Sequence, residues 1–396
     1  MSESVPYESA SFIVFSDDWG RHPSSCQHLF RHLLPRYRTF WVNTIGMRRP
    51  RFDLATLRRG LEKLLHWTRR SPAGLVTLPE NLHVSNPRMW PWFSTSLDRR
   101  LNRFLLSRHL RRLGRQLLAK PVVVTTIPIV ADLIGIFPEW RWVYYCVDDF
   151  GAWPGIDQRA MQRMEDRLVR ECHRLIAVSE TLRDKLARLG RHAELLTHGV
   201  DPAFWAAPEG EAVEEVRYLP RPLVVFWGVV DRRMDVAWVK RLAAGLSEGT
   251  IALVGPLADP APELLVTPRV VHVPPLAFEK LPQLAREAAV LVMPYTDVPV
   301  TRAMQPLKLK EYLATNRPAV VRDLPANRTW ADCLDLVNSA DDFVAVVHAR
   351  LRTGLPDQQR GARTRLEAES WAAKARLFER WVLEQSANNP IRSLPG

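Results

Sequence analysis

The stretch Met293–Val321, MPYTDVPVTRAMQPLKLKEYLATNRPAVV, decides the fold. It begins at the end of an apolar run, 288–293, that reads as a buried strand. A polar loop follows, and Pro306 opens a helical pattern. Proline suits a first helical position because its φ is already helical and its missing N–H has no partner to lose there. Leu307, Tyr312 and Leu313 supply the apolar faces, and Asn316 ends the helix as a residue tolerant of the left-handed cap. A second short strand starts at Pro318–Val321. Strand, loop, helix, strand is the unit from which parallel α/β sheets are built.

Lys308 lies in the first turn of this helix and Glu311 three residues on, so the two share a face. The helix start offers unpaired N–H groups and a positive dipole, and Lys308 adds a full charge, which together suit a diphosphate. Glu311 can accept two hydroxyl hydrogen bonds, as from a ribose diol. The same spacing also fits an i,i+3 ion pair on a helix surface.

The segment PLKLKEYLATNRPAVV resembles the nucleotide-sugar-binding segment of GT-B glycosyltransferases of the family 4 type, in which Pro-x-Lys-x-x-Glu-Tyr-Leu-Ala is followed by Gly-x-Pro-Val-Val. The resemblance implies that Glu311 grips the donor ribose. Two positions depart from the pattern: Asn316 stands for the usual Gly, and Ala303 where many members carry a second Glu. Thr301 and Gln305, in the loop before the helix, are counted with the donor-binding residues.

The 396 residues suffice for two domains with sizeable cores. The four cysteines, Cys26, Cys146, Cys172 and Cys333, have no paired spacing. That argues against a disulfide framework or zinc ribbon and suits a reducing cytosol. The opening MSESVPYESA lacks the basic and apolar regions of a signal peptide. The longest apolar stretch, 121–137, contains Asp132 and reads as a strand running into a helix rather than a membrane span. Residues 1–205 hold 31 Lys+Arg against 20 Asp+Glu, and residues 206–396 hold 24 against 23. The positive charge therefore belongs to the first half, whose partner should be anionic.

Along the first half, 11–15 and 40–43 read as strands. Between them run Asp17-Asp18-Trp19-Gly20-Arg21 and a helix from Cys26 capped by Ser24 or Ser25. Doubly wound folds bind ligands at such a strand–loop–helix start. The loop has no GxGxxG, and resembles instead the acceptor-side loop of GT-B enzymes, which assigns Asp18, Trp19, Gly20 and Arg21 to the acceptor; an ordinary capped turn is the alternative. Residues 55–70 and 98–120 are basic helical patterns. In the second, Leu106, Leu110, Leu113 and Leu117 form one stripe, while Leu101, Phe104 and Leu105 form another patch. After Asp98 it holds eight Lys/Arg and no acid. Such a helix can lie on an anionic membrane surface or simply solvate a charged face. The resemblance to GT-B enzymes implies that the aromatic, Pro-broken segment 86–93 shapes the acceptor cleft or touches lipid; a local core plug is the alternative. The strand at 142–147 ends in Asp148-Asp149, at a place where open α/β sheets put their sites. The reading is a carboxylate facing the acceptor hydroxyl or the donor sugar, with turn-forming aspartates as the alternative.

Val178-Ser179 and His198-Gly199-Val200-Asp201 resemble the family's landmark before its interdomain linker, with His198 in place of Asn. The linker itself is expected at 202–222. A strand at 223–230 then meets Gly228 and Arg232-Arg233. Family members carry Gly-Arg at this point, with cations on the diphosphate; Val229 stands for that Arg, leaving Arg232 and Arg233 as substitutes. The segment at 270–276 resembles the lining of the donor base pocket. A C-terminal helix is expected at 371–384.

The resulting expectation is an α/β protein with two Rossmann-like domains facing across a cleft: an acceptor-side domain at 1–205, a nucleotide-sugar domain at 206–370, and at 371–396 a helix crossing back toward the first domain, with a frayed tail. The resemblance, closest to teichuronic-acid and exopolysaccharide types, implies transfer of a sugar from a nucleoside diphosphate to an acceptor hydroxyl, with retention. It implies no cofactor beyond the nucleotide sugar and no metal, although Asp17-Asp18 and Asp148-Asp149 are conceivable Mg²⁺ ligands. The expected partners are a nucleotide sugar, a glycan or lipid-linked acceptor and an anionic membrane surface at 98–120, in the cytoplasm or at the inner face of the membrane. A sugar-nucleotide epimerase of the same fold is the rival enzyme. A nucleic-acid-binding protein would explain the basic half, but no helix-turn-helix, zinc or RNA-binding motif is present.

Overall fold

The structure is a computed structural model, described for residues 10–20, 24–45, 78–117, 119–153, 156–206 and 210–384. Arg21 and the basic pattern at 55–70 lie outside the described residues.

The chain divides into two compact units. The first comprises Met1–Val178, Leu182–Leu195 and Ala375–Gly396. Its sheet is parallel throughout: β1 Ser11–Ser16, β2 Arg38–Asn43, β3 Leu82–Ser85, β4 Val122–Thr125, β5 Arg141–Cys146, β6 Arg174–Ala177 and β7 Glu194–Leu195, in the order β3-β2-β1-β4-β5-β6-β7. β1 and β4 are buried along their whole length, so their sequences are continuous apolar runs rather than alternating ones. The run at 121–137 gives β4 and then a helix, as its pattern implied, of the 3-10 type over Pro128–Ile136.

The second unit comprises Ser179–Thr181 and Leu196–Lys374. Its main sheet holds β8 Leu223–Trp227, β10 Thr250–Val254, β12 Val270–Val273, β13 Val290–Met293, β14 Ala319–Arg322 and β15 Asp335–Val337, in the order β12-β10-β8-β13-β14-β15. A two-stranded pair, β9 Val230–Asp231 and β11 Leu257–Ala258, lies apart from it. Counted within the unit, this is the order 3-2-1-4-5-6 of the doubly wound fold, whose ligands sit where the order reverses, here between β8 and β13. The expected strand at 223–230 stops at Trp227, because Gly228 has φ 126° and turns the chain out of the sheet.

The expected linker at 202–222 is not a linker. It forms the short helices Pro202–Ala206 and Glu214–Arg217, and Trp205, Val213 and Val216 are buried in the core of the second unit. Its richness in alanine, glutamate and proline suggests a linker, but three spaced apolar side chains bind it to the core. Asp201 accepts the backbone N–H of Phe204 and caps the first of these helices. The C-terminal helix runs Trp371–Leu383. From Ala375 on it packs within the first unit, with Phe378 against Phe30 at 5.9 Å and Tyr145 at 5.7 Å.

The basic helix spans Ser96–Gly114, shorter than 98–120 at its C-terminal end. Thr95 and Asp98 form its capping box. Leu106, Leu110 and Leu113 are buried, as the stripe implied, while Leu97, Phe104 and Leu101 are 73 %, 60 % and 40 % exposed. Arg99 does not belong to the open charge: it pairs in bidentate fashion with Asp132 at 2.8 and 2.9 Å, an acid that Arg167 also contacts. In the segment before the helix, Asn102 holds the backbone of Trp90 and Trp92, and the Trp90 indole N–H donates to Asp98. Among the described residues no helix is long and apolar enough to cross a membrane.

Candidate functional site

The residues of the central stretch meet at the switch point of the second sheet. The Leu307–Ala314 helix follows β13, with Pro306 as its N-cap rather than its first helical residue, and Asn316 takes φ 58° just beyond it. Lys308 reaches from the first turn toward the end of β8. Its Nζ donates to the Tyr295 hydroxyl at 2.7 Å and lies 4.4 Å from the centre of the Phe226 ring. Gly228 lines the same place: a Cβ there would stand 2.2 Å from the Lys308 Nζ. Gly255, after β10, is packed as closely, since a Cβ on it would stand 2.1 Å from the Gly228 carbonyl oxygen. Two side-chain-free turns and an ammonium thus come together beside a helix N-terminus. That is a cradle for an anion of phosphate type.

Glu311 is one turn deeper and part-buried. The Trp227 indole N–H donates to its Oε2 at 3.1 Å. Burial pushes the carboxyl up to about 7, although the Trp227 hydrogen bond and the charge of Lys308 both favour the ionised form. The Lys308–Glu311 ion pair that the spacing allowed does not form: each side chain has a different partner.

The other donor-side residues divide. Arg233 is held against Asp231 at 2.8 Å and lies 5.6 Å from the centre of the Tyr295 ring, which brings it into the neighbourhood of Lys308. Arg232 is exposed and turned toward Asp259, away from that cluster. The Thr301 hydroxyl is engaged with the Thr296 and Val298 carbonyls, so it shapes the loop rather than pointing to a ligand. Gln305 is buried.

Beneath the helix lies a cluster that sequence reasoning missed. Lys310 is 1 % exposed, and its ammonium bonds the Glu369 carboxylate, the His198 carbonyl and the Thr197 hydroxyl. Lys374 reaches the same Glu369 oxygen at 2.8 Å. Burial and the neighbouring Lys374 depress Lys310 to about 8, against the pull of Glu369. His198 is thus tied in by its backbone carbonyl. A lysine at 308 and another at 310 look alike in a sequence; only the packing separates the one at the anion cradle from the one in the core.

On the first unit, the acceptor-side loop is braced. Gln27 bonds the Asp17 carboxylate, the Asp18 carbonyl and the Gly20 N–H. The Trp19 N–H donates to Asn43, and its ring stands edge-on to Trp41 at 4.8 Å. Gly20 has φ 78°. Asp149, beyond β5, is in an ion pair with Lys185 at 2.7 Å, and Lys185 also holds the fully buried Glu165 at 2.5 Å. Burial opposes the Lys185 charge, but the two acids outweigh it and hold its ammonium above the ordinary value. The Asp148 backbone carbonyl faces the Cys146 thiol. Lys185 and Glu165 carried no motif, since their sequence distance from Asp149 hides the contact.

No protein-family model matches the chain. A curated relative, TuaH of Bacillus subtilis (strain 168), described as a teichuronic acid biosynthesis glycosyltransferase, is 24 % identical over 212 residues. The match covers 49 % of this chain and 53 % of the relative, so the chain spans about half the length of the curated relative it matches. Among solved structures, sucrose-phosphate synthase from Thermosynechococcus elongatus is similar with TM-score 0.66 at 14 % identity, over 93 % of this chain and 97 % of that one. A trehalose-6-phosphate protein from E. coli, bound with UDP-2-fluoro glucose, gives TM-score 0.66 at 11 % identity, covering 95 % and 100 %. HepE of Anabaena in complex with UDP gives 0.56 at 13 %, covering 95 % and 96 %. The fold is therefore that of the GT-B class, with two Rossmann-like domains.

Proposed function

We propose that the protein is a glycosyltransferase that moves a sugar from a nucleoside diphosphate, of which UDP is the first candidate, to an acceptor hydroxyl. The observation that carries the reading is the convergence of Lys308, Gly228, Gly255 and Glu311 at the switch point of the second sheet. The likeness to TuaH, and to folds whose solved forms hold UDP or a UDP sugar, supports it. In the transfer, the bond from the anomeric carbon to the diphosphate breaks and a bond to the acceptor oxygen forms. The leaving diphosphate gains charge. Lys308, the N–H groups of the helix start and Arg233 are placed to stabilise that charge without reorganising. Glu311 holds the ribose by its hydroxyls. Asp148 and Asp149, on the first unit, are the carboxylates proposed to serve the acceptor hydroxyl, and the braced loop Asp18–Trp19–Gly20 to receive the acceptor.

Retention of configuration, independence of added metal or cofactor, and a place in cell-surface glycan synthesis complete the proposal. So does a cytoplasmic location with peripheral attachment to an anionic membrane. The basic first half and the open apolar residues of the Ser96–Gly114 helix support that attachment. The test is incubation with a panel of nucleotide sugars, with and without EDTA and a lipid-linked or glycan acceptor fraction. Acceptor-dependent release of nucleoside diphosphate that survives EDTA is expected. Conversion of the sugar without release would favour an epimerase.

A further inference from the structure

We infer that Trp227 positions Glu311 for the ribose of the donor and thereby sets the preference of the site for a ribose carrying its diol; the inference rests on the donor-site reading above. Trp227 is the last residue of β8 and 3 % exposed. It is bonded to two consecutive residues of the Leu307–Ala314 helix. Its backbone N–H donates to the Tyr312 hydroxyl at 3.2 Å, and its indole N–H to Glu311. The Tyr312 hydroxyl faces the Val292 carbonyl of β13 at 3.3 Å, so the helix is pinned across both strands that flank the switch point. The Tyr312 ring stands edge-on to the indole at 4.4 Å, while Trp205 lies parallel to it at 5.6 Å, with 4° between the planes. The indole therefore has little freedom, and neither does its N–H.

A phenylalanine would keep an aromatic ring at this end of β8, with less volume and no donor. What indole adds is one directional donor, and that donor is spent on Glu311 Oε2. Rotation about the terminal bond of a glutamate is broad when nothing holds it. Among the described residues, Trp227 is the side chain that hydrogen-bonds this carboxylate, so it selects the rotation and leaves Oε1 for a ligand. A carboxylate so held accepts from a cis-diol without first being ordered, which favours ribose over a sugar ring lacking those hydroxyls.

The experiment measures affinities for UDP and for its 2′,3′-dideoxy analogue by calorimetry. The proteins are the unsubstituted chain, Trp227→Phe, Glu311→Gln and the double variant, each checked for a native melting transition. The unsubstituted chain should prefer UDP. Trp227→Phe should lose about tenfold of that preference, the effect of one hydrogen bond to a charged group, while binding of the dideoxy probe changes little. Glu311→Gln should add little once Trp227 is phenylalanine. Equal losses for both probes in Trp227→Phe would mean packing alone and overturn the inference. If the unsubstituted chain binds UDP but does not discriminate between the probes, the positioning of Glu311 on the ribose is wrong and the inference falls while the anion cradle stands. If it binds neither, the donor-site reading falls with it.

Discussion

Glu311 shows how one buried group governs pH behaviour. Its carboxyl is raised from 4.5 to about 7 by burial. The folded state therefore holds a proton that the unfolded chain has released, and stability from this group falls as pH climbs through that window. The Trp227 hydrogen bond and then the charge of Lys308 limit the shift, while the neighbouring Tyr312 phenol is itself pushed up, by burial first and by Glu311 in part. Glu311→Gln should accordingly melt higher, relative to the unsubstituted chain, at about pH 8 than at about pH 5. Nucleotide binding should run the opposite way, since only the ionised carboxylate accepts both ribose hydroxyls: the affinity advantage of Glu over Gln should grow from about pH 6 to about pH 8. Parallel melting curves at both pH values would refute the assignment. Gly228 answers to sterics instead. Its φ of 126° strains any side chain, and a Cβ there would stand 2.2 Å from the Lys308 Nζ, so a methyl group fits only if the lysine moves. Gly228→Ala should displace Lys308 and weaken nucleoside-diphosphate binding about tenfold or more, measured by calorimetry.

At the scale of the element, the Leu307–Ala314 helix has two lysines with opposite duties. Lys308 faces the cradle; Lys310 is buried against Glu369, His198 and Thr197. Removing Lys310, the buried member of its pair, leaves the part-buried Glu369 carboxylate without that ammonium. Lys374 softens this, since it remains beside Glu369. Lys310→Met should still cost about 3 kcal/mol in urea unfolding, because the His198 carbonyl loses its donor. A loss under about 1 kcal/mol, the range of exposed pairs, would show that the cluster is wetter than its burial suggests. Periodicity read this helix correctly in place and polarity. It could not tell which lysine was buried, because the answer depends on the strand–turn at 194–201 and on Glu369, far away in the chain.

For the whole molecule, charge and apolar exposure coincide on the Ser96–Gly114 helix. Leu97, Leu101 and Phe104 are open, and Arg100, Arg103, Arg108, Arg111 and Arg112 are exposed around them. Arg99 drops out through its pairing with Asp132. Each basic residue near an anionic surface contributes about 1 kcal/mol. The expected outcome is salt-weakened co-sedimentation with phosphatidylglycerol vesicles, reduced several-fold by Phe104→Asp. Equal binding to neutral and anionic vesicles, or to neither, would dismiss the membrane contact.

What the sequence determined by itself is the repetition of buried strand, loop and helix, and with it two parallel sheets. Continuous apolar runs and helix punctuation are local signals, carried by neighbouring residues. It also marked Lys308 and Glu311 as two polar groups on one helix face, because a residue pattern at helical spacing survives in one dimension; Gly228 was reached through the resemblance to GT-B enzymes. The tertiary structure alone decided which polar groups meet. It joined Trp227 to Glu311, Lys185 to Asp149 and Lys310 to Glu369, and separated Arg233 from Arg232. It also turned the supposed linker into core through Trp205, Val213 and Val216. Burial and pairing depend on elements brought together across the sheet order, and no window of sequence contains both partners.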